Sequence, residues 1–282
     1  MRKWGKTLVE HSGSGRINRP KDRSYSDHMR TMGGFYPDDS YQNKEQVFAR
    51  HLHERYVIWG NYLRRHLKTS EEILSVASGR CINELQLLNN GYAISCSDLE
   101  RFPAYDASVQ LFGAFPFYVL DVLNEAPEKE FDSIFCLSAI YLFNADDLGQ
   151  FFRNINMGLR KNGRLFLDGG GPKDNLFSLF WHGFYLPIEY RLYAYALKII
   201  KRKEVAVVTL DHGFRHTNED IIKSGERAGF EFIGREDFDF LNEFLRSVLL
   251  RNIINRSPVA RRFLSILGRR TPYIRMFEFR KT

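Results

Sequence analysis

Between residues 73 and 167 the chain alternates between short apolar runs and stretches in which apolar residues recur every three or four positions. Alternation of this kind is typical of βαβ units, in which parallel strands form a sheet that helices cover on both faces. The sequence therefore predicts an α/β fold with a doubly wound, mostly parallel sheet. The predicted strands of this region cover residues 73–77, 92–96, 117–120, 131–137 and 164–167.

Capping residues mark the predicted helix boundaries. Asn144 or Asp146 is expected to begin the helix after the fourth strand, because either side chain can accept a hydrogen bond from a first-turn amide. Residues 161–163, Lys-Asn-Gly, are expected to end it, since Asn and Gly tolerate the left-handed backbone that follows a helix. A capping box at 217–220 predicts a later helix that Gly229 ends. A first helix is predicted at about 44–68, and the last strands at 230–233 and 276–279.

By composition the chain divides into an arm and one large domain. Residues 1–43 are polar, basic and rich in Gly, Ser and Asp, which predicts a flexible amino-terminal arm. Residues 44–282 form the predicted domain, which an aromatic-rich insertion at about 172–214 and a basic helical insertion at about 239–270 interrupt. We expect no secretory signal and, from three widely spaced cysteines, no disulfide framework. The expected location is therefore the reducing cytoplasm.

Positive charge is concentrated at the carboxyl end of the chain. Ten basic residues and one acidic residue follow residue 245, whereas the net charge of the whole chain is +7. Arginines there interleave with apolar residues at helical spacing, and no apolar run reaches the roughly 20 residues of a membrane-spanning helix. A basic amphipathic helix suits peripheral contact with an anionic membrane and, less well, nucleic acid. A helical pair that packs its apolar stripe on the domain core explains the pattern as well.

The turn after the first strand is the expected ligand site, because ligands of open parallel sheets bind beyond the carboxyl ends of the strands. This turn contains Ala77-Ser78-Gly79-Arg80-Cys81, and Asp98 ends the second strand 19 residues after Gly79. That spacing is typical of an acid that accepts hydrogen bonds from both hydroxyls of a ribose. The turn has one glycine and so lacks the bare backbone that a dinucleotide pyrophosphate requires, which disfavours a nicotinamide-dependent reductase.

These features resemble the class I S-adenosylmethionine-dependent methyltransferases. Residues 73–81 are similar to the first motif of that family, with Ser75 in place of the usual acidic residue and Ala77 and Cys81 in place of two usual glycines. Residues 131–141 are similar to its fourth-strand motif. Further similar segments are Leu-Arg-Lys-Asn-Gly at 159–163 and the late helix at 217–230, which ends in Ala-Gly-Phe.

The resemblance implies a fold, a cofactor and a set of binding residues. The implied fold is Rossmann-like, with seven strands in the order 3-2-1-4-5-7-6, the last strand antiparallel, and helical insertions. The implied cofactor is S-adenosyl-L-methionine, from which a methyl group is displaced in line. Asp98 and Leu99 would bind its ribose, and Asp121 and Val122 its adenine. The other implied binding residues are Ala77, Ser78 and Gly79 of the first turn and Leu137 and Ser138 after the fourth strand.

The resemblance leaves the methyl acceptor open. An oxygen or nitrogen acceptor can require a base, for which His182 and His216 are the candidates, and Tyr141 is placed to line the methyl-transfer side. No metal site is expected, because glycines rather than carboxylates follow Asp168. The 172–214 insertion lies where this family often has a substrate lid, and its aromatic residues suit a small molecule, a glycan or a lipid-linked acceptor. A small helical subdomain with its own core explains them as well.

Two functions therefore stay open. The first is a cytoplasmic methyltransferase, peripheral to a membrane where its acceptor is lipid-linked. The second is a non-catalytic relative that docks on nucleic acid or an anionic membrane through its basic carboxyl-terminal segment. The two differ in whether a methyl group is transferred.

Overall fold

The computed structural model describes residues 43–51, 54–102, 105–171, 175–201, 214–238, 241–245, 247–268 and 272–282. The strands are β1 (Glu72–Val76), β2 (Ala93–Asp98), β3 (Phe117–Val119), β4 (Phe131–Cys136), β5 (Leu159–Asp168), β6 (Phe230–Phe238) and β7 (Ile274–Lys281). The helices are α1 (Lys44–His51), α2 (Glu54–His66), α3 (Ile82–Asn89), α4 (Tyr105–Phe112), α5 (Ala145–Met157), α6 (Leu176–Phe180), α7 (Leu186–Lys201), α8 (Asn218–Arg227), α9 (Leu241–Phe244), α10 (Val248–Arg256) and α11 (Pro258–Gly268). A 3-10 turn covers Ile140–Leu142, and a π-helical turn covers Trp181–Tyr185.

The sequence predicts two segments at the amino end of the chain, an arm and a helix. The predicted arm lies outside the described residues, apart from Asn43. The helix predicted at about 44–68 corresponds to α1 and α2. Among the helices that the structure describes, none is both long enough and apolar enough to cross a lipid bilayer.

The strands form one sheet in the order β3-β2-β1-β4-β5-β7-β6. The pairs β1–β2, β1–β4, β2–β3 and β4–β5 are parallel, whereas β7 runs antiparallel to β5. Ser75 in β1 lies opposite Cys96 of β2 and Phe135 of β4. The predicted order and the antiparallel last strand are confirmed. The strand order reverses between β1 and β4, so a ligand crevice is expected beyond the carboxyl ends of these two strands.

Aromatic side chains hold α5 and α8 on the sheet. Phe151, Phe152 and Ile155 of α5 are 0% exposed and belong to the main hydrophobic core. Gly225 of α8 allows close contact with β7, because a Cβ atom there would lie 2.7 Å from a ring carbon of Phe279. Burial of one such side chain contributes about 1.5–3 kcal/mol. This packing fixes the loops that lead into and out of both helices.

The structure corrects the predicted end of α5. The helix begins at one of the expected caps, Asn144, but it ends at Met157 rather than at residues 161–163. Those residues lie inside β5, where Asn162 has a φ of 62° and the pairing register with β4 shifts. A Cβ atom on Gly163 would lie 2.8 Å from a backbone carbonyl oxygen, so glycine is needed there. Helix ends and strand bulges both use positive φ, and the Asn-Gly pair is compatible with either.

By its contacts the chain divides into two compact units. The unit that contains the sheet comprises Asp39–Gly170, His216–Asp237 and Ile274–Thr282. The second unit includes Gly171–Arg215 and Phe238–Tyr273. In the second unit a small core forms around Trp181, which stacks on Tyr185 with 4.5 Å between ring centroids. The other buried members of this core are Leu186, Leu241, Phe244 and Ile254. The roles predicted for the two insertions, substrate lid and basic docking segment, stay predictions.

Candidate cofactor site

The loop after β1 has a glycine-like backbone at three alternate positions. Ala77, Gly79 and Cys81 have φ of 53°, 54° and 56°, all in the left-handed region. For a residue with a side chain this conformation costs roughly 1–2 kcal/mol. Between them, the amide and hydroxyl of Ser78 both donate to the carbonyl oxygen of Ser97, at 2.9 and 3.1 Å. The loop therefore has the shape that glycines favour, although two of the three residues are not glycine.

Asp98, the last residue of β2, is fixed against this loop. Its carboxylate oxygens accept hydrogen bonds from the Gly79 N–H at 2.7 Å and from the Leu99 N–H at 2.8 Å. Hydrogen bonds to a charged acceptor are among the stronger ones in proteins, and Asp98 is buried. A Cβ atom on Gly79 would meet nothing within 4 Å, so the loop borders open space there. Because a carboxylate has about four acceptor positions, Asp98 can hold the loop and also bind a ribose.

Glu84 is a buried acid beside this loop that the sequence motifs did not identify. It lies in the first turn of α3, is 3% exposed, and accepts a hydrogen bond from the Ser75 hydroxyl at 2.5 Å. Burial raises the pKa of Glu84 to about 7; the hydrogen bond from Ser75 opposes the rise, and the charge of Asp98 adds to it. Ser75 stands where the methyltransferase motif has its acid, so the next helix supplies a carboxyl group at this place. One feature of the sequence could have identified Glu84, namely an acidic residue in the first turn of a helix, where the helix dipole favours negative charge.

The segment after β3 presents a backbone amide. Asp121 is half-buried and accepts hydrogen bonds from the Leu123 N–H at 3.1 Å and the Asn124 side chain at 2.7 Å. The Val122 side chain is buried in the core, and its carbonyl oxygen accepts a hydrogen bond from Asn154 at 2.8 Å. Within the part of the chain that the structure describes, the Val122 N–H has no hydrogen-bond partner. An adenine contact through this amide requires such a donor.

The loop after β4 lies beside the loop after β1. Cys136, the last residue of β4, is in register with Val76, the last residue of β1. Leu137 and Ser138 follow and are half-buried, and Ser138 has a φ of 52°. Tyr141 comes next, half-buried in the 3-10 turn. The structure thus brings these predicted site residues to the same edge of the sheet as the Asp98 carboxylate.

The two candidate histidines are not in comparable positions. His216 is buried, and its Nε2 atom lies 3.0 Å from the carbonyl oxygen of Phe143, just after the turn that contains Tyr141. Because a carbonyl oxygen only accepts hydrogen bonds, Nε2 carries a proton. Burial lowers the pKa of His216, and the bonds to backbone carbonyls oppose that effect. The backbone of His182 lies in the π-helical turn of the second unit, and its side chain lies outside the described part of the structure.

Arg275 of β7 is a second group that was not identified from sequence. Arg275 is 1% exposed, and its guanidinium donates to the carbonyl oxygens of Gly169 and Gly170, both at 2.7 Å, and of His216 at 3.0 Å. The neighbouring carboxyl of Asp168 is buried, which raises its pKa, and it accepts the Gly170 N–H at 2.9 Å. Arg275 therefore fixes the end of β5 to the start of α8, and with it the backbone of His216.

A separate depression of about 400 Å³ lies at the opposite, amino-terminal edge of the sheet. Its lining is charged, and ion pairs join Arg160 to Asp132 at 2.7 Å and Arg164 to Glu71 at 2.8 Å. It does not include the Asp98 carboxylate or the loop after β1. The candidate site is therefore the carboxyl edge, where β1, β2 and β4 end together.

No family model and no curated protein matches the sequence. Solved structures do match. The 1,6-didemethyltoxoflavin-N1-methyltransferase of Burkholderia thailandensis is similar with a TM-score of 0.54 at 14% identity, over 97% of this chain and 99% of its own. A SAM-dependent methyltransferase of Methanosarcina mazei is similar with a TM-score of 0.51 at 13% identity, over 78% of this chain and 96% of its own. The chain has the class I methyltransferase fold.

The class I methyltransferase fold does not by itself decide the activity. The 4+2 cyclase SpnF is similar to this chain as well, with a TM-score of 0.52 at 13% identity, over 79% of this chain and 80% of its own. One fold therefore carries differently named activities among the similar structures. Function has to be argued from the residues of the site.

Proposed function

We propose that this protein is a methyltransferase that uses S-adenosyl-L-methionine. The observation that carries the proposal is the hydrogen bond of Asp98 to the Gly79 amide, in a loop that has positive φ at all three glycine positions of the motif. Strained backbone of this kind clusters at ligand sites. A carboxylate at a strand end and a loop open to space at Gly79 fit the ribose and the chain of this cofactor.

In this proposal the residues of the site bind and align the reactants. S-adenosylmethionine supplies a methyl group on a sulfonium, and the leaving group is a neutral thioether. Asp98 would hold the ribose by accepting hydrogen bonds from its hydroxyls, and the amide of Val122 and the carboxylate of Asp121 would hold the adenine. Ser138 and Tyr141 border the side on which the acceptor lies. Alignment of two reactants lowers a barrier by up to about 7–11 kcal/mol, so the residues need little chemistry of their own.

The acceptor in this proposal is an oxygen or nitrogen of a small molecule, a glycan or a lipid-linked compound, and the protein works in the cytoplasm. His216 and His182 are the proposed bases, and Tyr141 lines the methyl-transfer side. Burial favours the neutral form of His216, which is the form that accepts a proton. The contact with Phe143 also gives His216 a structural role. His216→Asn separates the two roles, because a lost base lowers kcat without changing cofactor affinity.

The test is isothermal titration with S-adenosylmethionine. We expect binding by the unaltered protein and affinity at least about tenfold lower for Asp98→Asn, since a hydrogen bond to a charged group contributes about 1.5–3 kcal/mol. Glu128→Gln, a change at an exposed acid, is the matched control and should bind normally. Absence of binding at millimolar cofactor, or equal affinity of Asp98→Asn and the control, would reject the proposal.

A non-catalytic binding module is the second candidate. It is favoured by the side chains at Ala77 and Cys81, which occupy positions where the motif has none. The two candidates differ in turnover. With S-adenosylmethionine and a mixture of small-molecule acceptors, a methyltransferase releases S-adenosylhomocysteine, and Asp98→Asn releases it more slowly. Cofactor binding with no S-adenosylhomocysteine from any acceptor class would favour the binding module.

A further inference from the structure

Two consecutive helices of the second unit carry an exposed apolar face. On α11, Val259, Phe263 and Ile266 are 79%, 65% and 55% exposed, and their spacing places them on one side of the helix. On α10, Leu249 and Ile253 are 62% and 50% exposed and lie four residues apart. Clustered apolar side chains of this size mark interaction surfaces when they extend over a patch.

These residues do not form the face by which the helices pack. Ile254 of α10 is buried in the small core of the second unit, and Leu250 and Leu264 pack against that core. Each helix thus uses one apolar face for the core and leaves another exposed. Packing on a core, the simpler explanation of the sequence pattern, therefore accounts for the buried face of each helix but not for the exposed one.

The charge on these helices has one sign. Residues 247–268 contain no acidic residue and four arginines, Arg251, Arg256, Arg261 and Arg262. Arg256 lies seven residues after Leu249, on the same side of α10, and Arg262 directly precedes Phe263. The acid that comes before them, Glu243, is buried. The exposed surface therefore combines large apolar side chains with positive charge.

We propose that α10 and α11 dock the protein on an anionic lipid bilayer. In this geometry the apolar side chains enter the acyl boundary and the arginines stay with the lipid phosphates. A second copy of the chain fits less well, because arginine would meet arginine. Nucleic acid fits less well too, because single-strand binding relies on aromatic rings and Phe263 is the one aromatic residue of these helices. The proposal rests on the second unit alone and not on the cofactor site.

The test is sedimentation of the full chain with vesicles of phosphatidylcholine, alone or mixed with phosphatidylserine. We expect the protein to bind the mixed vesicles, and we expect added salt to weaken this binding. Phe263→Ser and Val259→Ser should each lower the affinity about tenfold. Met157→Ser, at a 57% exposed residue of α5, is the matched control and should bind as the unaltered protein does. The double change R256Q and R262Q should remove much of the preference for phosphatidylserine.

Each variant is also titrated with S-adenosylmethionine. If these residues serve docking alone, every variant should bind the cofactor with the same affinity as the unaltered protein. Loss of docking is thereby distinguished from failure of the cofactor site. No binding to mixed vesicles, or equal binding by both serine variants and the control, overturns the proposal. A dimer in analytical ultracentrifugation that Phe263→Ser dissociates, or tight binding of single-stranded RNA that the double arginine change abolishes, overturns it in favour of another occupant.

Discussion

The buried carboxyl of Glu84 should make the folded chain less stable as the pH rises toward neutrality. Burial raises its pKa from an ordinary value of 4.5 to about 7. Between these values the folded chain keeps a proton that the unfolded chain has released, so stability falls as the pH rises. The contribution is fully present below about pH 4.5 and lost by about pH 7. The loss corresponds to about 3 kcal/mol.

The perturbation that isolates this effect is Glu84→Gln. The amide keeps an oxygen that can accept the Ser75 hydroxyl, but it cannot ionise. We expect the variant and the unaltered protein to differ little near pH 5, and the variant to be more stable by up to about 3 kcal/mol near pH 8. The measurement is the free energy of unfolding in urea, followed by far-UV circular dichroism over this pH range.

Other buried groups also titrate, so the difference between two proteins is the informative quantity. The raised pKa of Asp168 acts in the same direction as that of Glu84, and the lowered pKa of His216 acts in the opposite direction. Both groups are common to the variant and the unaltered protein. Glu226→Gln, at an exposed position of α8, is the control and should leave the profile unchanged. Parallel profiles for Glu84→Gln and the unaltered protein, or a larger destabilisation of the variant at pH 8 than at pH 5, would refute the reasoning.

Three further substitutions test the loop, the buried arginine and the core. Ala77→Gly should raise the free energy of unfolding by about 1 kcal/mol, because it relieves a positive φ; an unchanged or lower value in urea would contradict the strain. Arg275→Met should lower the free energy of unfolding by at least about 3 kcal/mol, because buried carbonyls lose their donor. A small shift in the thermal unfolding temperature would show instead that water replaces the guanidinium as donor. Phe152→Ala should cost about 3–5 kcal/mol through loss of burial and a cavity, with calorimetry as the measurement and a cost below 1 kcal/mol as the contrary result.

Much of the sheet could be predicted because its central strands β1, β2 and β4 are almost wholly buried. Apolar residues dominate β1 and β4, and the boundaries of both strands fall within a residue or two of the prediction. The error at residues 161–163 has a physical origin. A bulge in β5 and the end of a helix demand the same backbone conformation, and composition does not distinguish them. Pairing of β5 with Phe131 and Ser133 of β4, on either side of the bulge, decides for the strand, and the local sequence does not encode it.

Some features of the candidate site could likewise be predicted from the sequence, and others could not. The contact of Asp98 with Gly79 could be predicted, because β1 and β2 are adjacent parallel strands and their last residues share one edge. The Ser75–Glu84 hydrogen bond depends on the rotation of α3 about its axis, which the sequence pattern does not set. Arg275 donates to residues more than a hundred positions earlier in the chain, through the antiparallel pairing of β7 with β5. Neither spacing nor periodicity carries that information.

The loop after β1 has the backbone shape of a glycine-rich turn although two of the three residues with positive φ are not glycine. Glycine is usual at these positions, but the proposed cofactor would contact the backbone shape rather than the residue type. At Ala77 and Cys81 that shape is present with a side chain and therefore at a cost in stability. Contacts compensate for part of it, since Cys81 is 0% exposed and its N–H donates to the Ser78 carbonyl at 2.9 Å. Ala77 is half-buried and packs against the main core, so less burial compensates for its positive φ than for that of Cys81. The strain that remains there is what binding of a nucleoside against Asp98 would explain.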